Sequence, residues 1–155
     1  MMNIKSLQSF TDLVLQLENE KIPFEQIKNS STVIVPIPDP EKEWICYIRW
    51  EPIPGVIQFI QVLPVKVPET QQDEMRTILN RINFDLPVLG FVLNEKNGIL
   101  TYRVQIFLDK NKSIPAEIIG GLMALSVHTV KAYLPQIKAA MMPRTRESIK
   151  SIFEL

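Results

Sequence analysis

His128 and Cys46 are each the only residue of their type in this 155-residue chain, so any metal or nucleophile chemistry has to begin from them. A protein metal site needs three or four nitrogen, sulfur or carboxylate ligands brought together. His128 lies among Ser126, Val127, Thr129 and Val130, with no second histidine or carboxylate one helical turn away. A packing or surface place is its expected role, ahead of catalysis or pH sensing. A reactive cysteine needs a stabilised thiolate. Cys46 alternates with Trp44 and Trp50 in a strand-like run, where burial would keep the thiol protonated and inert. One cysteine also makes no disulfide framework and no cysteine-based zinc site. Glu41, Glu43 and Glu51 gather around the same run, the composition of an acid and base pair. On turns flanking a strand, they are expected instead to keep a sheet edge soluble. The five glycines form no phosphate-cradling pattern: Gly55, Gly90 and Gly98 fall in strands and turns, Gly120 and Gly121 in a helical stretch. The expectation is no catalytic residue, no metal and no cofactor.

What remains is binding chemistry. Trp44, Tyr47, Trp50 and Phe59 concentrate aromatic rings on neighbouring strands, and Arg49 and Arg103 alternate with apolar residues in theirs. Core packing accounts for such rings, but tryptophan, tyrosine and arginine also dominate interface hot spots. The candidate partner-binding surface is therefore Trp44, Trp50, Phe59, Ile78, Ile82, Arg49 and Arg103. The alternative is a small-ligand sensor or an enzyme whose pocket uses Arg49, Arg103 or His128 to orient an anion. Basic residues Lys138, Arg144, Arg146 and Lys150 read as a solvated terminal face.

These residues must be positioned by the elements that the patterns predict. Ser6 as N-cap, followed by Leu7, Phe10, Val14 and Leu17, predicts a helix to about Lys21. Phe24–Lys28, an Asn29-Ser30 turn and Thr32–Val35 read as short strands, ended by Pro36, Pro38 and Pro40. Trp44–Trp50 alternates with period two, placing Trp44, Cys46, Ile48 and Trp50 on one face and Ile45, Tyr47 and Arg49 on the other. After Pro52-Ile53-Pro54-Gly55, Val56–Leu63 is apolar on both faces, as expected of a central strand covered at least partly on both sides. Pro68-Glu69 opens a second helix with the stripe Met75, Ile78, Leu79, Ile82. Val88–Leu93 and Ile99–Leu108 flank Asn97-Gly98, a strong hairpin signal. Pro115 opens a third helix carrying Ile118, Leu122, Leu125, Thr129, Tyr133 and Ile137, with a close contact expected at Gly120-Gly121 and a kink or break near Pro135.

The resulting order, α-β-β-β(-β)-α-β-β-α with short connections, predicts an α+β fold: one twisted, mainly antiparallel sheet with helices packed on it. A single domain is expected over residues 1–143, followed by a tail or short helix over 144–155 with Ile149, Ile152 and Phe153 at helical spacing; as a docking helix it would suit a subunit of a larger assembly. Seventeen basic against seventeen acidic residues disfavours nucleic acid as a partner. The N-terminus lacks the pattern of a signal peptide and no apolar run approaches 18 residues, so a cytoplasmic protein without a membrane-inserted segment is expected.

The stretch Tyr102-Arg103-Val104-Gln105-Ile106-Phe107-Leu108-Asp109, then Ile114-Pro115 and the helix ending Tyr133-Leu134-Pro135, resembles the YbjN family of bacterial sensory transduction regulators over roughly Ser6 to Ala140. That resemblance implies a fold like that of type III secretion chaperones and a small, non-enzymatic domain, often dimeric, that holds a protein or peptide partner as an escort or regulator. It supplies no catalytic residues. Secretion chaperones are acidic, so the neutral charge of this chain favours a regulator or general binder.

Overall fold

A computed structural model describes residues 4–141. The chain runs β1 (Ser6–Leu7), α1 (Phe10–Asn19), β2 (Glu25–Gln26), β3 (Thr32–Ile37), β4 (Trp44–Glu51), β5 (Val56–Lys66), a single 3-10 turn (Glu69–Gln71), α2 (Gln72–Asp85), β6 (Phe91–Leu93), β7 (Ile99–Phe107), β8 (Ile114–Pro115) and α3 (Glu117–Ala140). Six strands form one antiparallel sheet in the order β2-β3-β4-β5-β7-β6, and β1 pairs β8 separately. This is the α+β architecture that the patterns predict. The tail over 144–155 lies outside the described residues.

Register sorts the side chains. Across β3, β4, β5 and β7 the inner face carries Val33, Ile48, Phe59 and Val104 in one row, and Val35, Cys46, Gln61 and Tyr102 in the next. All are buried, and together with Trp44, Trp50 and the stripes of α1, α2 and α3 they form one core. The outer face carries Ile34, Tyr47, Ile60 and Arg103 in a row, then Pro36, Ile45, Val62 and Thr101. None of Ile34, Ile45, Tyr47, Ile60 or Val62 belongs to the core that the helices complete. Helices therefore cover one face of β5, and Val56 and Ile60 are shielded on the other by cross-strand neighbours.

Several local expectations shift. The N-cap of α1 is Ser9, whose hydroxyl accepts from the Asp12 N–H at 3.2 Å, because Ser6 is taken up by pairing with Pro115. That pairing also delays α3 to Glu117. Pro36 lies inside β3 rather than ending it. The Trp50 N–H donates to Ser31 O, so odd-numbered β3 residues bond β4 and Pro36 turns its nitrogen to the outer edge, where no N–H is needed. The stripe of α3 is Ile119, Met123, Val130, Leu134 and Ile137; Thr129 and Ile137 of the expected stripe are buried, whereas Leu125 is exposed. The helix passes Pro135 without a break. Gly120, though not Gly121, makes a close contact, since a Cβ there would come within 3.2 Å of the Glu20 carboxylate. By length and composition alone α3 is apolar enough to cross a membrane, although His128 and Lys131 interrupt it; a third of its most apolar window is buried inside the fold. The Asn97-Gly98 hairpin forms as expected, and Gly98 must be glycine: its φ is +73° and a Cβ would lie 2.3 Å from the Val67 carbonyl oxygen.

Cys46 is fully buried and burial pushes its thiol up to about 12 from a usual value near 9. The folded state thus keeps a proton that the unfolded chain gives up above pH 9, so this contribution to stability is intact below pH 9 and declines as pH rises toward 12. Urea melts of the wild type and Cys46→Ala at pH 7.5 and pH 10 should show the wild-type advantage shrinking by about 1 kcal/mol at the higher pH. An unchanged advantage would mean that the thiol is not shielded as the structure has it.

Candidate functional site

A groove of about 760 Å³ opens at one corner of the molecule, where the end of α2 meets β6 and β7. It is lined by Asn80 and Asn83 of α2, by Val88, Leu89 and Gly90 of the following loop, and by Phe91, Val92, Arg103, Gln105 and Phe107. Gly90 and Arg103 exchange both backbone hydrogen bonds, at 2.8 and 3.0 Å, so they are direct cross-strand partners, and the place of a Gly90 side chain is taken by Asn83.

The groove is held by side-chain bonds to backbone. Asn83 accepts from the Phe91 N–H at 2.8 Å and donates to the Phe91 carbonyl at 2.9 Å, occupying both outward groups of that residue as a neighbouring strand would. A Cβ at Gly90 would lie 2.8 Å from the Asn83 Oδ1. The Tyr102 hydroxyl donates to the Val88 carbonyl at 3.0 Å, fixing the loop from within; burial raises the phenol above its ordinary range. Phe91 and Tyr102 rings stack at a tilt 4.9 Å apart, with Tyr133 of α3 edge-on to Phe91 at 6.0 Å. Three elements thus set the position of one short strand.

Its surface is unusually apolar. Phe107 is 76% exposed, Leu89 63% and Val92 47%, and Phe84, one turn beyond Asn80, is 88% exposed. Isolated exposed apolar residues are ordinary, but a cluster of them around a groove marks an interaction site. Among the described residues Arg103 is the only charged one in the lining, and its Nε is buried without a hydrogen-bond partner.

The structure relocates most of the predicted surface. Trp44, Trp50, Phe59 and Ile82 are at most 5% exposed, inside the core, and Ile78 packs against it. Their period-two and helical spacing put them on the face that the helices cover, so they offer nothing to a partner. Arg49 and Arg103 do reach the outer face, but on strands separated by β5, about 10 Å apart across the sheet. Arg49 lies 4.0 Å from Glu51. His128 is exposed on α3, across the sheet from both arginines, so the three do not converge on one anion. Glu41 pairs with Lys138 at 2.8 Å, and Glu51 accepts from Gln58. Among the described residues no group of three His, Cys, Asp or Glu side chains is placed to hold a metal ion. The residues that sequence reasoning missed are Asn83, Leu89, Gly90, Val92 and Phe107. Gly90 between two apolar strand residues was the available signal, since a glycine there marks close backbone approach.

The family described as "YbjN: Putative bacterial sensory transduction regulator" matches residues 13–139. The crystal structure of YbjN from E. coli, described there as "a putative transcription regulator", superimposes with a TM-score of 0.66 at 12% identity, covering 88% of this chain and 96% of that one. At that identity the likeness is one of fold. No curated protein matches this chain.

Replacing Asn83 by Ala strips both partners from the outward backbone of Phe91. The expected cost is about 2 kcal/mol in chemical denaturation, with faster amide exchange at Phe91 than elsewhere in the sheet. Gly90→Ala should cost a similar amount by displacing the same amide. Exchange at Phe91 unaltered by Asn83→Ala would show that the clasp is not what holds β6.

Proposed function

This chain belongs to the YbjN family, and from that premise we propose that it is a non-catalytic, regulatory protein-binding module that receives an apolar segment of a partner in the groove between α2 and β7. The observation that carries the reading is the group Leu89, Val92 and Phe107, exposed around a groove that a buried framework holds open. Covering a ring exposed as far as Phe107 is worth roughly 2 kcal/mol, enough for one such anchor to decide an interface. Strand addition is the less suitable mode. Asn83 occupies the outward groups of Phe91, and at the opposite edge β2 and Pro36 leave few N–H donors. A groove-bound segment, in an escort or regulatory role, fits better.

Affinity capture with the wild type and with Phe107→Asp tests this. A partner recovered by the wild type should be reduced at least tenfold with the variant, while the two proteins melt together. Equal recovery would refute the groove as the partner site.

A second reading concerns self-association. The outward side of α3 presents Gly121, Ala124, Leu125, Ala132 and Pro135, with His128 and Lys131 among them, and only a third of its most apolar window is buried. We propose that a second copy packs along this face in a two-fold contact, small residues allowing close approach of the helices. Sedimentation should then give a dimer for the wild type and a monomer for Leu125→Arg. A wild-type monomer at tens of micromolar, or a variant of unchanged mass, would exclude it.

A further inference from the structure

Resting on the groove as a partner site, we propose that it selects a peptide segment in which a carboxylate side chain stands beside a bulky apolar one. Charge and donor geometry carry the selection. Among the described residues Arg103 is the only charged one lining the groove, and no carboxylate lines it. Glu51, on the outer face of β4, is held by Gln58 and lies beside Arg49. The Nε of Arg103 is buried without an acceptor among the described residues, so contact with a ligand falls to the terminal Nη groups. Those two groups also present parallel N–H donors that a carboxylate satisfies at both oxygens, whereas an amide oxygen satisfies one donor and leaves the charge unbalanced.

The surroundings say how such a segment would lie. Gly90 pairs directly across from Arg103 and is itself buried, with the Asn83 amide at the place a Cβ would take, so Asn83 and not bare backbone lies beside that pair. Leu89 and Val92 supply apolar walls within two residues of Gly90, and Phe107 a further one four residues along β7 from Arg103. A carboxylate flanked by a large apolar residue therefore meets both features at once. An apolar peptide alone would bury the cation against nothing, and a basic peptide would meet like charge. Strand pairing with a second copy is disfavoured next to the groove, because the outward groups of Phe91 are taken by Asn83.

The test is fluorescence polarisation of the full chain with three labelled hexapeptides that differ at one position, carrying Phe-Glu-Leu, Phe-Gln-Leu or Phe-Lys-Leu at their centre. The glutamate peptide should bind the wild type at least tenfold more tightly than the glutamine peptide, with the preference falling as salt rises from 50 to 500 mM. Arg103→Gln should bind the glutamate and glutamine peptides alike, and Arg103→Lys, which keeps the charge but not the fork, should retain only part of the preference. Phe107→Ala should weaken the glutamate and glutamine peptides in proportion. The proposal is overturned if the wild type does not distinguish glutamate from glutamine, if the preference survives Arg103→Gln, or if the glutamate peptide fails to bind at millimolar concentration. Equal binding of all three peptides that is lost in Phe107→Asp would leave the partner site standing and remove the carboxylate selection alone.

Discussion

The register of β4, β5 and β7 is the constraint on which both the core and the groove depend. Side chains in a strand alternate with period two, so a slip of one residue would carry Phe59, Ile48 and Trp44 to the outer face and bring Arg49 and Arg103 into the core. Burying two arginines without partners is prohibitive, which gives the observed pairing a large margin over its neighbours. A buried polar contact adds to that margin. Trp44 donates its indole N–H to Gln61 at 2.7 Å across β4 and β5, deep in the core. The other side of that amide is not satisfied, since the Gln61 nitrogen is buried without a partner. An orphan of this kind costs about 1–3 kcal/mol, and the indole would incur a comparable penalty if Gln61 were apolar. The pair is thus better understood as fixing one register than as adding net stability.

Once register is fixed, one missing side chain decides how the sheet ends. On the outer face the row of Ile34, Tyr47, Ile60 and Arg103 ends at the β6 edge in Gly90. A larger residue there would push on Asn83, and Asn83 is what holds Phe91 and so the end of β6. The missing side chain at Gly90 therefore makes room for the clasp on Phe91, which leaves that part of the edge without free backbone groups for a further strand.

How much of this was legible in the sequence depends on whether a property is local. The faces of β4 were readable from alternation alone, and so were the stripe of α2 and the Asn97-Gly98 hairpin. The error lay in treating Trp44, Trp50 and Phe59 as surface because their residue types suit interfaces, when their shared parity with Cys46 and Ile48 already placed them on the most apolar face. In α3 periodicity did not decide, because apolar residues surround the helix: Ile118-Leu122-Leu125 and Ile119-Met123-Val130 are comparable stripes until the sheet selects one. Of the groove only Arg103 was named from sequence, and Gly90 was its one further signal. Leu89, Val92, Arg103 and Phe107 come from a loop and two strands and meet only through the pairing of Gly90 with Arg103, which no spacing along the chain encodes.

The exposed residues of the groove are also the ones that folding leaves least explained. Removing Phe107, Leu89 or Phe84 would cost the core little, since each is more than half exposed, and exposed rings carry a solubility liability. Arg103 differs from an ordinary surface arginine, which keeps its donors in water, because its Nε has lost water without gaining an acceptor. A bound segment would cover the exposed walls and set a counter-charge against the guanidinium, and this is the physical argument for proposing recognition at this corner and not on the better-packed aromatic face.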